Sequence, residues 1–397
     1  MKKIVKRVSI IAGCVILGIL LIGTITIYSV WHNEINTAFS FQKLRDRNDA
    51  HKDGALYEMT VSGDYYFGEF IETGASSDKE LISYITSHIT KGLIPMKISE
   101  SEIACSAFTA QLENGDRVFG RNYDFDKTNT CIVKTNPSHG YASVSTIDLQ
   151  FLGLDTNKDV SGLMNRITAL AAPYVPLDGV NEKGVACAIF MSYQGDEKTI
   201  ATNQDTDKPD ITSTTMLRLI LDYAASVEEA VELVSKYDLH DSAQTSYHYM
   251  VADSTGKSAI LEWVNGTDKT DNDGKARKLV VTYNDEDSHI GEKEADSDFQ
   301  WITNFIIQPG YYESDEEKPG VDRYNIIYNG LEKTDGLLKD EQAAMNILQS
   351  VGQRYYKEGS DGCTVHSVVY NLTQKTSYFI PNENYGDESA KFYYTAA

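Results

Sequence analysis

From Val8 to Val30 the chain runs 23 residues without a charge (VSIIAGCVILGILLIGTITIYSV), close to the roughly 20 that a helix needs to cross a bilayer core. MKKIVKR precedes this run and the first acids follow it. The positive-inside tendency then keeps the N-terminus in the cytoplasm and puts the remainder outside. A cleaved signal peptide is the competing reading. The run exceeds the roughly 7–15 apolar residues of a signal peptide and no A-x-A site closes it, so an uncleaved single-pass anchor is expected.

Beyond the anchor the periods change. Ile35 to Arg47 reads as a polar helix, and LYEMTVSGDYYFGEFIETG has the aromatic and β-branched content of strands. Ser77 with Glu80 forms a capping box that opens the helix ELISYITSHIT, and Lys91-Gly92 ends it. From Cys105 strands dominate. CSAFTAQLENGDRVFGRNYDF is a hairpin about Asn114-Gly115, GVACAIFMSY an apolar strand, YHYMVADSTGKSAILEWVN a second hairpin, KLVVTYN a strand, and HSVVYNLTQKTSYFI a closing hairpin. TTMLRLILDYA and VEEAVELVSKY are helices, the second opened by Ser226 with Glu229. Strand blocks flanking a helical block predict an α+β class with helices packed on sheets. DTNKDV, DTDKPD and DEDSHIGEKEADSD are the expected surface loops.

Composition narrows the function. The 397 residues carry a net charge of −22, and removing Lys2, Lys3, Lys6 and Arg7 leaves −26 on the rest. So acidic a body repels phosphate backbones, which excludes general nucleic-acid binding. Of five cysteines Cys14 lies in the apolar run, leaving Cys105, Cys131, Cys187 and Cys363. No C-x-x-C or Cys/His spacing suggests a metal, no disulfide framework is indicated, and no cofactor is expected.

A type I′ turn at Asn114-Gly115 sets the register of the first hairpin, since both residues tolerate positive φ. Facing residues then pair Cys105 with Asp124 and place Arg121, opposite Phe108, on the other face of the ribbon. For Arg121 and Asp124 both to reach the thiol, the second strand must bulge near Asn122.

Cys105-Ser106 opening a strand, followed by Gly120-Arg121-Asn122-x-Asp124 with Arg121 sixteen residues after the cysteine, resembles the choloylglycine hydrolase family of N-terminal-nucleophile amidases. Asn181-Glu182-Lys183-Gly184-Val185, SVEEAVEL, VADSTGKSAILEW, VVTYN with Asn284, and Asp322-Arg323-Tyr324 follow in the family's order, so that the likeness covers Cys105 to about Ile380. The resemblance implies a four-layer αββα N-terminal-nucleophile hydrolase fold. It implies that Cys105 is the nucleophile, freed by cutting the Ala104–Cys105 bond so that its own α-amine serves as base. It makes Arg121 the partner of the thiolate and Asp124 the orienter of the thiol or amine. Asn181 and Asn284 become oxyanion donors, and Arg323 completes the charge network. The substrate would be a small linear amide of the N-acyl amide, bile-salt conjugate or penicillin V type, and an anchor favours amphiphilic ones.

The domains expected are a basic tip and anchor at 1–30, a front segment or propeptide at 31–104 that stays packed on the core after the cut, as the resemblance to acid ceramidase suggests, and a catalytic domain at 105–397. An acyltransferase on the same scaffold and a non-catalytic, membrane-anchored binding ectodomain stand as alternatives. Taken alone, a cysteine at a strand start is a small buried apolar residue, Arg121 and Asp124 make a surface ion pair, and Asn181 and Asn284 are turn or loop residues. Cys131, Cys187 and Cys363 read as structural, His248 and His366 as strand-core residues, and Asp271-Asn272-Asp273-Gly274 as a turn rather than a calcium loop.

Overall fold

The computed structural model describes residues 2–92, 104–194, 199–269, 273–285, 299–356 and 362–396. Two sheets dominate. The larger has nine strands in the order β1 (Gln42–Arg45), β2 (Leu56–Thr60), β5 (Thr130–Thr135), β6 (Ser143–Asp148), β7 (Asp178–Asn181), β8 (Ala186–Met191), β11 (Tyr247–Ala252), β12 (Ser258–Val264) and β13 (Lys278–Tyr283). The smaller runs β14 (Trp301–Ile302), β3 (Ala104–Leu112), β4 (Arg117–Phe125), β16 (Cys363–Asn371), β17 (Thr376–Pro381) and β18 (Phe392–Thr395), with β15 (Leu337–Leu338) also pairing with β3. A separate parallel pair joins β9 (Asp210–Thr212) to β10 (Asp238–His240).

Nine helices accompany them among the described residues: α1 (Lys2–Ser40), α2 (Phe67–Thr73), α3 (Asp78–Ile89), α4 (Gly162–Ala169), α5 (Ser213–Tyr223), α6 (Val227–Val234), α7 (Val321–Glu332), α8 (Glu341–Ser350) and α9 (Gln353–Tyr356). α5 packs on β7 and β8, and α6 on β11; α7 packs on β3 and β14, and α8 on β4 and β16. β3 meets β8 across the gap between the sheets. The strands facing that gap are buried nearly throughout, and their apolar content drives the two sheets together. The result is a mixed α/β fold built on two sheets.

α1 contains one segment, Ile11–Ser40, long and apolar enough to cross a membrane or to act as a signal sequence. The expected border at residue 30 falls inside this helix, one residue before Trp31 leaves helical geometry (φ −123°, ψ 23°). The front segment does not stand apart, because β1 and β2 extend the larger sheet and β2 pairs in parallel with β5.

The secondary-structure elements differ from the sequence reading in two places. The polar helix expected over Ile35–Arg47 is instead the tail of α1 followed by β1. The strand-rich reading of LYEMTVSGDYYFGEFIETG holds for β2 but not for its second half, which is α2. Phe67 and Phe70, three apart, share one helical face and are fully buried there. They stack on each other and both meet Tyr174 edge-on, a contact a strand's alternation would split. The helix caps were legible: the Ser77 hydroxyl accepts from Glu80 N at 3.4 Å and that of Ser226 from Glu229 N at 3.2 Å. The loop over 286–298, and Asp271 and Asn272, lie outside the described residues.

Candidate active site

The hairpin that carries Cys105 forms, but one residue out of the expected register. A type I′ turn needs positive φ at both central residues, and of Asn114 and Gly115 only Gly115 has it, at 91°. The Asn114 side chain instead accepts from Asp116 N at 3.0 Å, and Leu112 N bonds Asp116 O at 2.8 Å, so the loop holds three residues. Every facing pair shifts by one. Cys105 pairs with Tyr123, Ala107 with Arg121, and Ala104 with Asp124. The expected pairing of Cys105 with Asp124 is thereby corrected, as is the bulge expected near Asn122. The irregularity lies on β16 between Thr364 and His366, opposite Tyr123 and Asp124.

The new register puts Cys105, Arg121 and Tyr123 on one face, towards the larger sheet. Arg121 is completely buried. Its Nε donates to Asp178 Oδ2 at 3.2 Å, Nη1 to Asn122 O at 2.8 Å and Nη2 to Ile189 O at 2.9 Å, and its guanidinium lies 4.6 Å from the centre of the Phe190 ring. Its charge also stands against the Cys105 thiol. Burial pushes that thiol above its ordinary value, while Arg121 pulls it back and the Asp124 charge adds to the rise. Asp178 is itself held low, to about 2, because His366 and Arg121 outweigh the cost of burying it.

Asp124 points the other way, where helices cover the small sheet. It accepts from Thr364 Oγ1 at 2.6 Å, Gln353 Nε2 at 3.0 Å and Arg323 Nη1 at 3.1 Å. Burial raises its carboxyl, and Arg323 is the largest opposing influence. Arg323 comes from the first turn of α7 and spans the site. Nη1 also donates to Cys105 O at 2.8 Å, and Nη2 donates to Asn304 Oδ1 at 2.7 Å. Cys105, Arg121, Asp124 and Arg323 thus lie together.

Asn304 is the residue that sequence reasoning missed. Its Oδ1 accepts from Cys105 N at 3.0 Å and its Nδ2 donates to Met191 O at 2.8 Å. Its own carbonyl accepts from Tyr193 N at 2.8 Å. The segment that carries it is pinned by a buried pair. His248 Nε2 meets Thr303 O at 2.9 Å, Nδ1 meets Glu262 Oε1 at 3.1 Å, and that same oxygen accepts from Ile307 N at 2.9 Å. The available signal was the WITNF segment, where Asn304 follows the short strand β14 that pairs with β3.

Asn181 and Asn284 lie elsewhere. The Asn181 amide donates to Leu221 O and Ala224 O at 3.0 and 2.8 Å, and its oxygen accepts from Lys183 N and Val185 N, both at 3.0 Å. In that turn Gly184 packs so close to Leu372 O that a Cβ would sit 2.2 Å away, and Leu372 N bonds Arg117 O. Asn284 donates to Gly256 O at 3.2 Å and accepts from Ser258 N at 3.1 Å, and a Cβ on Gly256 would meet Arg117 Nε at 2.7 Å. The Asn181 amide thus faces the end of α5, while Asn284 sits near Arg117, at the turn end of the hairpin. Cys105 is six strand residues from that end, so Asn284 lies about 20 Å from it.

Cys131, Cys187 and Cys363 are buried and free, and burial pushes the Cys363 thiol up to about 12. The site as a whole sets a buried thiol beside a fixed guanidinium, with its residue's N–H and C=O each held by a polar side chain. That is equipment for covalent acyl chemistry.

Comparison with known proteins relates part of the chain to amide hydrolases. Residues 105–269 match the model of linear amide C-N hydrolases, choloylglycine hydrolase family. A penicillin V acylase from Pectobacterium atrosepticum is 31% identical over 97 residues, 22% of this chain and 25% of that protein. A bile salt hydrolase/transferase from Clostridium perfringens is 25% identical over 180 residues, 40% of this chain and 47% of that one. The chain thus spans half or less of the length of these relatives. A variant of conjugated bile acid hydrolase from Clostridium perfringens superimposes with a TM-score of 0.46 at 15% identity, covering 74% of this chain and 98% of that structure. Residues 105–269 carry the sequence signature of the choloylglycine hydrolase family, whose members are hydrolases of linear amide C–N bonds.

Proposed function

We propose that the chain is a membrane-anchored, extracytoplasmic cysteine amidase that hydrolyses a linear, non-peptide amide through a thioester, on a four-layer αββα N-terminal-nucleophile scaffold. The observation that carries this reading is the hold on Cys105: its N–H is bonded to Asn304, its carbonyl to Arg323, and its thiol faces Arg121.

Maturation comes first. Cys105 Sγ attacks the Ala104 carbonyl carbon, the peptide C–N bond breaks as the proton passes to the departing nitrogen, and water hydrolyses the resulting thioester. This frees the α-amine of Cys105, whose reference pKa of roughly 7.7–8 suits proton transfer near neutrality. In turnover the amine takes the thiol proton and Sγ bonds to the substrate's carbonyl carbon. Collapse expels the substrate's amine, which leaves with the proton held by the α-ammonium. Water, deprotonated by the α-amine, then cleaves the thioester and releases the carboxylic acid. Arg121 stabilises the thiolate, Asn304 and Arg323 hold the new N-terminus, and Asp124 fixes Arg323. Asn181 and Asn284 are left as turn-holding residues on this reading.

The basic tip and apolar run support an N-terminus in the cytoplasm and a catalytic body outside. One relative is named a hydrolase/transferase, which favours a second reading in which an amine replaces water as acyl acceptor. The test is intact mass of the purified chain together with amine release from N-acyl amino acids, bile-salt conjugates and penicillin V. Two fragments parting before Cys105, and activity lost in Cys105→Ala, are expected. An uncut active chain, or normal turnover by Cys105→Ala, overturns the reading.

A further inference from the structure

Past Trp31, α1 runs on to Ser40 and lies against α4, with Arg166 Nη1 donating to Ala38 O at 3.0 Å. Between these two helices and the end of α3 is a cavity of about 490 Å3, walled chiefly by Ile27, Trp31, Ile35, Ala38, Leu163 and Ile167. That volume is in the range of small-molecule sites. The lining is almost wholly hydrocarbon, Glu34 being its one charged residue.

The position of the cavity identifies its occupant. The stretch from Ile11 to Val30 would cover about 30 Å as helix, the thickness of a bilayer's hydrocarbon core, and its most apolar window has none of its residues buried in the protein. Ile27 belongs to that stretch and also walls the cavity, so the cavity begins where the span ends. Tyr28 and Trp31 stand at the same level, where aromatic side chains gather at membrane interfaces. Around the cavity the surface stays apolar: Phe39 is 75% exposed, Leu163 64% and Met164 56%. Such a patch, continuous with a span, is one that water does not favour.

We propose that α4 and the foot of α1 form a second membrane contact, in which α4 lies in the interface and the cavity takes an acyl chain of a membrane phospholipid. The proposal rests on α1 being a retained span. It would seat the catalytic layers against the lipid surface, where amphiphilic amides concentrate.

The test uses the full chain in phosphatidylcholine vesicles containing a phosphatidylcholine with a photoreactive diazirine on one acyl chain, followed by irradiation and peptide mapping. Adducts are expected on α4 and on residues 35–39 as well as on the span. The double variant Leu163→Asp, Met164→Asp should lower α4 labelling by about tenfold or more, the scale set by placing carboxylates at hydrocarbon depth. Span labelling should be unchanged, and near-UV circular dichroism should stay the same because both side chains are exposed. Adducts confined to the span overturn the second contact while leaving the span. Loss of adducts from both, with the chain released by carbonate, overturns the span and the contact with it. A dimer on size exclusion in detergent that Leu163→Asp, Met164→Asp abolishes, with no lipid adducts on α4, overturns the lipid assignment in favour of a second copy.

Discussion

Arg323 and Asp124 form a buried ion pair, 3.1 Å from Nη1 to Oδ2, that joins the first turn of α7 to the last residues of β4. The same Nη1 holds the Cys105 carbonyl at 2.8 Å, so the pair connects the covering helix layer to the nucleophile. Removing one partner strands the other. Arg323→Met should lower stability by about 3–5 kcal/mol, because a buried carboxylate is left without its cation. It should also stop cleavage before Cys105. Arg323→Met combined with Asp124→Leu should recover much of the stability without restoring cleavage. Thermal unfolding and intact mass read the two effects separately, and recovery of cleavage in the double variant would count against a positioning role for the pair.

Asn304 and Asn284 make opposite predictions although both are buried asparagines. Asn304→Ala removes the acceptor for Cys105 N and is expected to cut turnover by about 10²-fold, the cost of misplacing a reacting group by about 1 Å. Asn284→Ala leaves Ser258 N without this partner and should instead cost about 1–3 kcal/mol of stability, with turnover per folded molecule retained. Asn181→Ala should behave like Asn284→Ala. Measuring kcat beside Tm for the three variants separates the roles, and equal losses of kcat would return Asn284 to the site.

These contrasts mark what the sequence revealed. The Cys105 hairpin, the helix caps and the apolar start were legible because each depends on residues a few positions apart. The hairpin's register was not. It turned on whether Asn114 would adopt positive φ or let its side chain bond Asp116 N, a choice between two local arrangements that the same Asn-Gly pair permits. α2 was hidden because aromatic residues suit strands, until burial against Tyr174 makes the three-residue spacing of Phe67 and Phe70 decisive. Asn304 joins Cys105 across 199 residues, a contact that no periodicity encodes. Asn181 drew attention because it sits in a conspicuous Asn-Glu-Lys-Gly turn, and there its amide serves that turn.

Asp148 should give the protein a pH-dependent stability. It accepts from Tyr123 Oη at 2.9 Å, from Thr128 Oγ1 at 2.5 Å and from Gln150 N at 2.8 Å. Burial nevertheless dominates and raises its carboxyl from 3.8 to about 6. Between those pH values the native state keeps a proton that the unfolded chain has released, so stability falls as pH rises through the window and levels off above it. The full effect is up to about 3 kcal/mol. Asp148→Asn should remove this slope, leaving a pH-independent change from the altered hydrogen bonds. Other carboxylates titrate nearby, so the measurement is the difference in Tm between the two proteins at several pH values across the window. A difference that does not vary with pH would refute the assignment.

The front segment should remain attached after the cut before Cys105. β2 supplies five residues to the larger sheet beside β5, and a strand removed from that position would expose both its own apolar side and its neighbour's edge. Tyr65 adds a hydrogen bond to the buried Asp222, and Tyr174 Oη donates to Tyr65 O at 2.5 Å. Phe67 and Phe70 are buried against Tyr174, each fully buried aromatic contributing about 1.5–3 kcal/mol. Cleavage therefore breaks one covalent bond without disturbing this packing. On size exclusion in mild detergent the two fragments should elute together, and they should part only in denaturant. Phe67→Ala with Phe70→Ala should weaken the association enough for the fragments to separate under native conditions. Separation of the unmutated fragments without denaturant would show instead that residues 31–104 act as a releasable propeptide.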